Sequence, residues 1–308
     1  MTSDNAKAPM EAKESVIETR SLTKRFGGKT AVDRVDMHVK KGAIYGLIGK
    51  NGAGKTTAMK MLLGILTPTE GEITLFGSND LAAARKRIGS LIEAPGIYNN
   101  CTAKENMKRF SILSGGNDKE IDELLALVGL AKVGNKKAGA FSLGMKQRLG
   151  IAIALIGSPE LLILDEPING LDPAGIKEIR DLIIKLNRER GVTFMISSHL
   201  LDELGKIATD YGIINDGKLV EEISAAELAA RCRDGLRIVV DDPEAAAALL
   251  KESGFTDMKI KKGSIVLHEG LDRSAEINAL LVGKGIKVSE LSVHSNGFEA
   301  YFIKRLGH

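Results

Sequence analysis

From Gly49 to Thr56 the chain reads Gly-Lys-Asn-Gly-Ala-Gly-Lys-Thr, residue types suited to holding a chain of phosphates. Glycine carries no Cβ, so the backbone can wrap close to an anion. Successive N–H groups then point inward, and the start of the following helix adds partial positive charge. Lys55 is placed to reach the β- and γ-phosphates and Thr56 to offer its hydroxyl to Mg²⁺. Gly49, Asn51, Gly52, Ala53, Gly54 and Thr57 complete the expected cradle.

Further along, Leu161-Leu162-Ile163-Leu164 is an apolar run that closes on two acids, Asp165 and Glu166. A strand buried on both faces is expected in a parallel sheet, and ligands gather at the carboxyl ends of such strands. Asp165 could there hold the shell of Mg²⁺, and Glu166 could orient or deprotonate an attacking water. Asp-Glu-Pro could also merely close a strand and start a turn; the cradle upstream favours chemistry. A third segment, Phe141-Ser142-Leu143-Gly144-Met145-Lys146-Gln147-Arg148, leads into a helical run. Ser142 is a good N-cap and Gly144 permits close approach, so a second anion could dock at this helix start. By itself the segment is better read as an ordinary capped amphipathic helix.

The frame for these groups is an alternation of strands and helices. Ala43–Ile48, Leu161–Leu164, Thr193–Ser197 and Tyr211–Ile214 read as buried strands, and Thr56–Leu66 and Ala174–Arg190 as amphipathic helices. That order implies a mostly parallel sheet in an α/β domain. From about Ala82 to Ile156 the pattern is mainly helical, with Ile121, Leu124, Leu125 and Val128 on one face. This stretch is expected to be a helical subdomain inserted into the α/β core. Beyond Glu221 the pattern reads strand (Leu236–Val240), helix (Pro243–Glu252), two strands about a Lys-Gly turn (Met258–Ile260, Ile265–Leu267), helix (Arg273–Leu281) and strand (Ile286–Val293). The order βαββαβ suggests a small α+β domain of ferredoxin-like arrangement, with Val239, Leu249, Ile265, Leu267, Leu280 and Val288 as its core. The expected division is a disordered leader over residues 1–15, the α/β domain over 16–222 and an accessory domain over 223–308.

Composition excludes several classes. With 43 basic against 40 acidic residues the signs nearly cancel, giving no electrostatic footprint for nucleic acid. The most apolar runs, Leu149–Ile156 and Leu161–Leu164, are far shorter than the roughly 20 residues a membrane helix needs. Cys101 and Cys232 have no metal-ligand spacing, and a reduced cytoplasmic setting is the expectation.

Taken together and in order, these segments resemble the ABC ATPase family over about Val16–Lys218. The match takes in Phe26 before the phosphate loop, the loop itself, the signature-like Ser142–Met145 and the Asp165-Glu166 pair. Asn169-Gly170-Leu171-Asp172-Pro173 is similar to the family's D-loop, and Ser197-Ser198-His199 to its switch histidine. The resemblance implies a P-loop NTPase core that binds ATP with Mg²⁺ and hydrolyses it as a dimer with a second copy or a homologous ATPase. It also implies a separate membrane permease as partner, which would hold the chain at the inner face of the membrane; the alternative is a soluble ABC-type ATPase without a permease, of translation or DNA-repair type. Phe26 would stack on adenine, Ser142 and Gly144 would contact the γ-phosphate held by the opposite subunit, Asp172 would help join the subunits, and His199 would sense the γ-phosphate. Two departures stand out. The signature reads Ser-Leu-Gly-Met, with Leu143 and Met145 where the family usually has Gly and Gln, and Glu93 stands where it usually has a loop glutamine. Both look like the bacitracin- and lantibiotic-type exporter ATPases. An ionised Glu93 near Mg²⁺ would be a hard oxygen ligand.

Overall fold

The computed structural model describes residues 14–114, 118–294 and 297–306. Most of the leader expected over residues 1–15 lies outside them. The chain divides at Ala225/Ala226 into two compact units.

Strands of the first unit are β1 (Ser15–Phe26), β2 (Lys29–Lys40), β3 (Ile44–Ile48), β4 (Glu70–Leu75), β5 (Ile88–Leu91), β6 (Leu161–Asp165), β7 (Thr193–Ser198), β8 (Asp210–Asn215) and β9 (Lys218–Ser224). Its helices are α1 (Lys55–Leu62), α2 (Leu81–Arg85), α3 (Ala103–Ser114), α4 (Ile121–Leu127), α5 (Leu143–Ala154), α6 (Pro173–Arg190) and α7 (Leu201–Gly205). A further helix, α8 (Ala225–Arg231), begins at the boundary. Six strands form one sheet in the order β5-β6-β7-β3-β8-β9, parallel except for β9. β3, β6 and β7 are buried along their whole lengths, as strands covered on both faces must be. A second, antiparallel sheet runs β2-β1-β4.

Helix ends follow local chemistry. Asp172 caps α6 by accepting from the Gly175 amide (3.0 Å), Pro173 opens the helix, and Gly191 closes it at φ 66°. Ser142 caps α5 by accepting from the Met145 amide (3.3 Å). α1 begins after Gly54 with no side-chain cap, which leaves its first N–H groups to an outside acceptor.

The stretch read as helical from about Ala82 to Ile156 contains a strand. β5 is only four residues long, too short to show a period, and it joins the edge of the main sheet. It packs so tightly on α5 that a Cβ at Gly89 would lie 1.9 Å from the Ala154 carbonyl oxygen. Helical structure takes over after it, with α3, α4 and α5.

The second unit holds β10 (Gly235–Val240), α9 (Pro243–Glu252), β11 (Met258–Lys261), β12 (Ser264–Leu267), α10 (Ser274–Gly283), β13 (Val288–His294) and α11 (Phe298–Leu306). Its antiparallel sheet runs β11-β12-β10-β13, so β12 lies between the two strands that α9 connects, a split βαβ arrangement. Leu236, Ile238, Ile265 and Leu267 are buried with Leu250, Ile277 and Leu281 of the helices. Val239 belongs to the other face, because successive residues of a strand alternate and its neighbours Ile238 and Val240 point inward.

β3 is tied to β9 by a buried polar contact. The Tyr45 hydroxyl donates to Glu222 Oε1 (2.7 Å), and Glu222 also accepts from the His38 amide (2.9 Å). Burial, then the adjacent Glu222 carboxylate, hold the phenol well above its ordinary value. A phenol so shifted contributes stability that is complete below about pH 10 and is lost as pH rises through the folded-state value. Tyr45→Phe is therefore expected to lower stability by about 1 kcal/mol near neutral pH. In urea denaturation its deficit should narrow above about pH 10, since the variant has no phenol to lose; a deficit that widens there would contradict the assignment.

Candidate nucleotide site

The carboxyl ends of three neighbouring strands, β3, β7 and β6, supply the chemistry. The 49–54 loop leaves β3, Asp165 ends β6 opposite Ser197 of β7, and His199 follows β7. Two glycines make the loop's path possible. A Cβ at Gly49 would meet the Ile214 carbonyl oxygen at 2.4 Å, and Gly54 sits at φ 106° with the Ala31 carbonyl oxygen 2.5 Å from where a Cβ would be.

A cavity of about 560 Å³ opens over this loop. Asn51, Gly52, Gly54, Lys55, Thr56 and Thr57 line it, with Glu166 at one side and Phe26 at another. Phe26 is 49% exposed, and the Lys24 ammonium lies 5.2 Å from its ring centre. An exposed aromatic ring lining a phosphate cradle can serve as a stacking platform for a base, an interaction worth about 1–3 kcal/mol. Ala53 is buried behind the loop, where its carbonyl takes the Gly217 amide (3.0 Å).

Lys55 bonds the carbonyls of Gly49 (2.7 Å) and Lys50 (3.3 Å), and its ammonium is 3.5 Å from Glu166 Oε1. The other oxygen of Glu166 meets His199 Nδ1 at 2.8 Å. Thr56 donates its hydroxyl to Asp165 Oδ2 (2.8 Å). A hydroxyl and a carboxylate side by side at a phosphate cradle are the hard oxygen donors Mg²⁺ takes, with the phosphates and water supplying the rest. The ion would offset phosphate charge there. Among the described residues no group of three or more His, Cys, Asp and Glu is arranged for a metal.

Glu93 is not among the residues lining this cavity. Its side chain is 66% exposed and its carboxylate bonds the Lys60 ammonium (2.6 Å) on α1. The pairing partner lies thirty-three positions away, so nothing in the loop's own sequence announces it.

Ser142, Gly144 and Asp172 come together elsewhere. They line a second cavity of about 420 Å³ with Leu171 and Arg148, which shares no lining residue with the first. Leu143 is 46% exposed beside it, so the departure from glycine puts an apolar side chain on this surface. The first cavity also has walls that motif reading missed. Lys29, Thr30 and Ala31 open β2, and Asp216-Gly217 make the β8–β9 turn. The Asp-Gly pair was a visible turn signal, but nothing in it pointed to a ligand.

A model of the ABC transporter family matches residues 32–169. The bacitracin transport ATP-binding protein BcrA of Enterococcus faecalis is 45% identical over 299 residues, 96% of this chain and 97% of that one. The chain belongs to the ABC transporter ATP-binding proteins. The lantibiotic transport ATP-binding protein SrtF of Streptococcus pyogenes is 46% identical over 207 residues, 67% of this chain and 90% of its own length. Among solved structures, the dimeric ATP-binding cassette MJ0796, in a post-hydrolysis state with ADP and Pi, is similar at TM-score 0.62 and 26% identity, over 68% of this chain and 98% of that one. The α/β P-loop fold and the ATPase class expected from the motifs are those of this family.

As an ABC ATPase the chain needs a group to organise the attacking water, and the candidate is Glu166, which lines the cavity with an oxygen 3.5 Å from the Lys55 ammonium. Glu166→Gln keeps the shape and removes the base. ATP binding is expected to persist while turnover falls at least about 10²-fold, and gel filtration with ATP and Mg²⁺ should show a trapped dimer. Hydrolysis at the normal rate would remove Glu166 from this role.

Proposed function

We propose that the chain is the energy-coupling subunit of an exporter for a peptide antibiotic or similar amphiphile. Two copies, or one copy and a homologous ATPase, would close around two ATP and drive a separate membrane permease. The observation that carries this reading is the likeness to a bacitracin transport ATP-binding protein along 96% of the chain, second unit included. The Ser-Leu-Gly-Met signature and Glu93 support it as well.

In this reading the nucleotide lies on the first cavity, with Phe26 at adenine and Lys55 and Thr56 at the phosphates. Asp165 and Thr56 hold Mg²⁺, Glu166 orients water and His199 senses the γ-phosphate. Ser142 and Gly144 serve the nucleotide of the opposite copy, and Asp172 joins the two. The separation of the two cavities on one chain suits that division. The cassette occupies about 16–222, and residues 223–308 act as a regulatory or dimer-supporting domain. Among the described residues no helix is long and apolar enough to cross a membrane, so attachment to the inner face would come through the permease. The near balance of charge gives nucleic acid no place as a partner.

Coupling to the permease is assigned to Ala94-Pro95-Gly96-Ile97-Tyr98, which follows Glu93. Pro95 lies beside Gly150 of α5, and Tyr98 is 43% exposed while resting on Phe110 (6.1 Å between ring centres) and the Arg109 guanidinium (5.0 Å). A partly buried ring with an open face is fit for a partner surface.

Disruption of the gene in its own bacterium is expected to raise sensitivity to a bacitracin- or lantibiotic-class peptide. The intact gene should restore resistance, and Tyr98→Asp should not, although the isolated variant keeps its basal ATPase. Unchanged sensitivity on disruption would contradict the substrate class, and full rescue by Tyr98→Asp would move the coupling surface elsewhere.

A further inference from the structure

Asp165 and Glu166 are adjacent in sequence yet must face different tasks, and the backbone between them does not turn without help. Glu166 has φ 49°, a left-handed conformation that a residue with a side chain rarely adopts. One side chain from the neighbouring strand touches both acids. Ser197 of β7 is fully buried, and in the sheet it lies directly across from Asp165.

Its hydroxyl oxygen accepts the Glu166 amide (2.9 Å), and its own carbonyl oxygen takes a share of the same N–H (3.2 Å). The hydroxyl donates in turn to Asp165 Oδ1 (2.5 Å). A serine hydroxyl has one proton to give, so with the amide on its lone pair that proton is committed to Asp165. The two oxygens of Asp165 are thereby distinguished. Oδ1 is held by Ser197, and Oδ2 is turned to the Thr56 hydroxyl at the cradle. A single buried hydroxyl sets the plane of one carboxylate and pins the turn that presents the other.

We infer that Ser197 is a positioning residue of the ATPase, fixing the Asp165 carboxylate toward the ion and Glu166 toward the water. The inference rests on the assignment of Asp165 to the ion and Glu166 to the water. A serine that merely filled a buried strand position would leave ion affinity and the chemical step unaffected, apart from general stability.

The test uses the full chain, with Mn²⁺ as the probe for the ion. In Ser197→Ala, Asp165 loses its fixed partner and the Glu166 amide keeps only the carbonyl. ATP binding without metal is expected to match wild type, because Phe26 and the phosphate loop are untouched. Electron paramagnetic resonance should show Mn²⁺ bound to the ATP complex about tenfold more weakly. kcat should fall at least tenfold on the same principle, with KM for ATP nearly unchanged. Ser197→Thr, which keeps the hydroxyl, should recover both ion affinity and kcat. Wild-type Mn²⁺ affinity and kcat in Ser197→Ala would overturn the role. A parallel loss of folding stability and metal-free ATP binding, with no recovery in Ser197→Thr, would overturn it too, leaving a structural serine. Asp165→Asn separates the two levels. If that variant binds Mn²⁺ as wild type does, the assignment of Asp165 to the ion fails, and the inference about Ser197 fails with it at that step.

Discussion

Only 6% of the Lys55 side chain reaches solvent, and a charge so placed must be answered by oxygen at each donor. In this structure the answer comes from the carbonyls of Gly49 and Lys50 and from Glu166 across the cleft. Much of the surrounding architecture follows from meeting that requirement. The glycines let the loop's carbonyls fold back over the ammonium, while the uncapped start of α1 leaves N–H groups facing outward. A triphosphate oxygen could take the place of Glu166 at the Lys55 ammonium and release that carboxylate from the pair. Glu166 already bonds His199 through its second oxygen, so its release and the histidine's placement are linked through one carboxylate.

The signature surface is organised by a different constraint. Ser142 and Asp172 each cap a helix, accepting from amides three residues on. Both still line the second cavity, so the cap fixes each side chain's place on that surface. Capping and ligand contact are compatible there, because an oxygen that accepts from one amide has lone pairs or a proton left over. No lysine is among the residues lining this second cavity.

Residues whose spacing is dictated by phosphate chemistry were legible in the chain, because a cradle needs glycines, a lysine and a hydroxyl in one order. Leu161–Glu166 was legible for a related reason, since a strand buried on both faces has no polar alternation to blur it. The second unit's order of elements could be read because short polar turns separate them. β1 and β2 escaped notice: β1 pairs through several register shifts, which interrupt its alternation, although β2 keeps a clear alternation from Val35 to Lys40. β5 was too short to show a period. The walls at Lys29–Ala31 and Asp216-Gly217 sit in or beside turns, where residue type reports backbone geometry and not what the turn faces. The Lys60–Glu93 pair and the two contacts of Ser197 depend on strand and helix placement, which one-dimensional spacing does not carry.

In the proposed function each nucleotide is bound by one copy and completed by another. Ser142→Arg tests it most directly, since bulk at Ser142 lies in the second cavity and away from the first. ATP affinity of the monomeric variant, measured at equilibrium beside its hydrolysis rate, is the deciding measurement. Affinity near wild type with hydrolysis abolished is the expected result. Affinity that collapses together with activity would mean that Ser142 serves the nucleotide of its own chain.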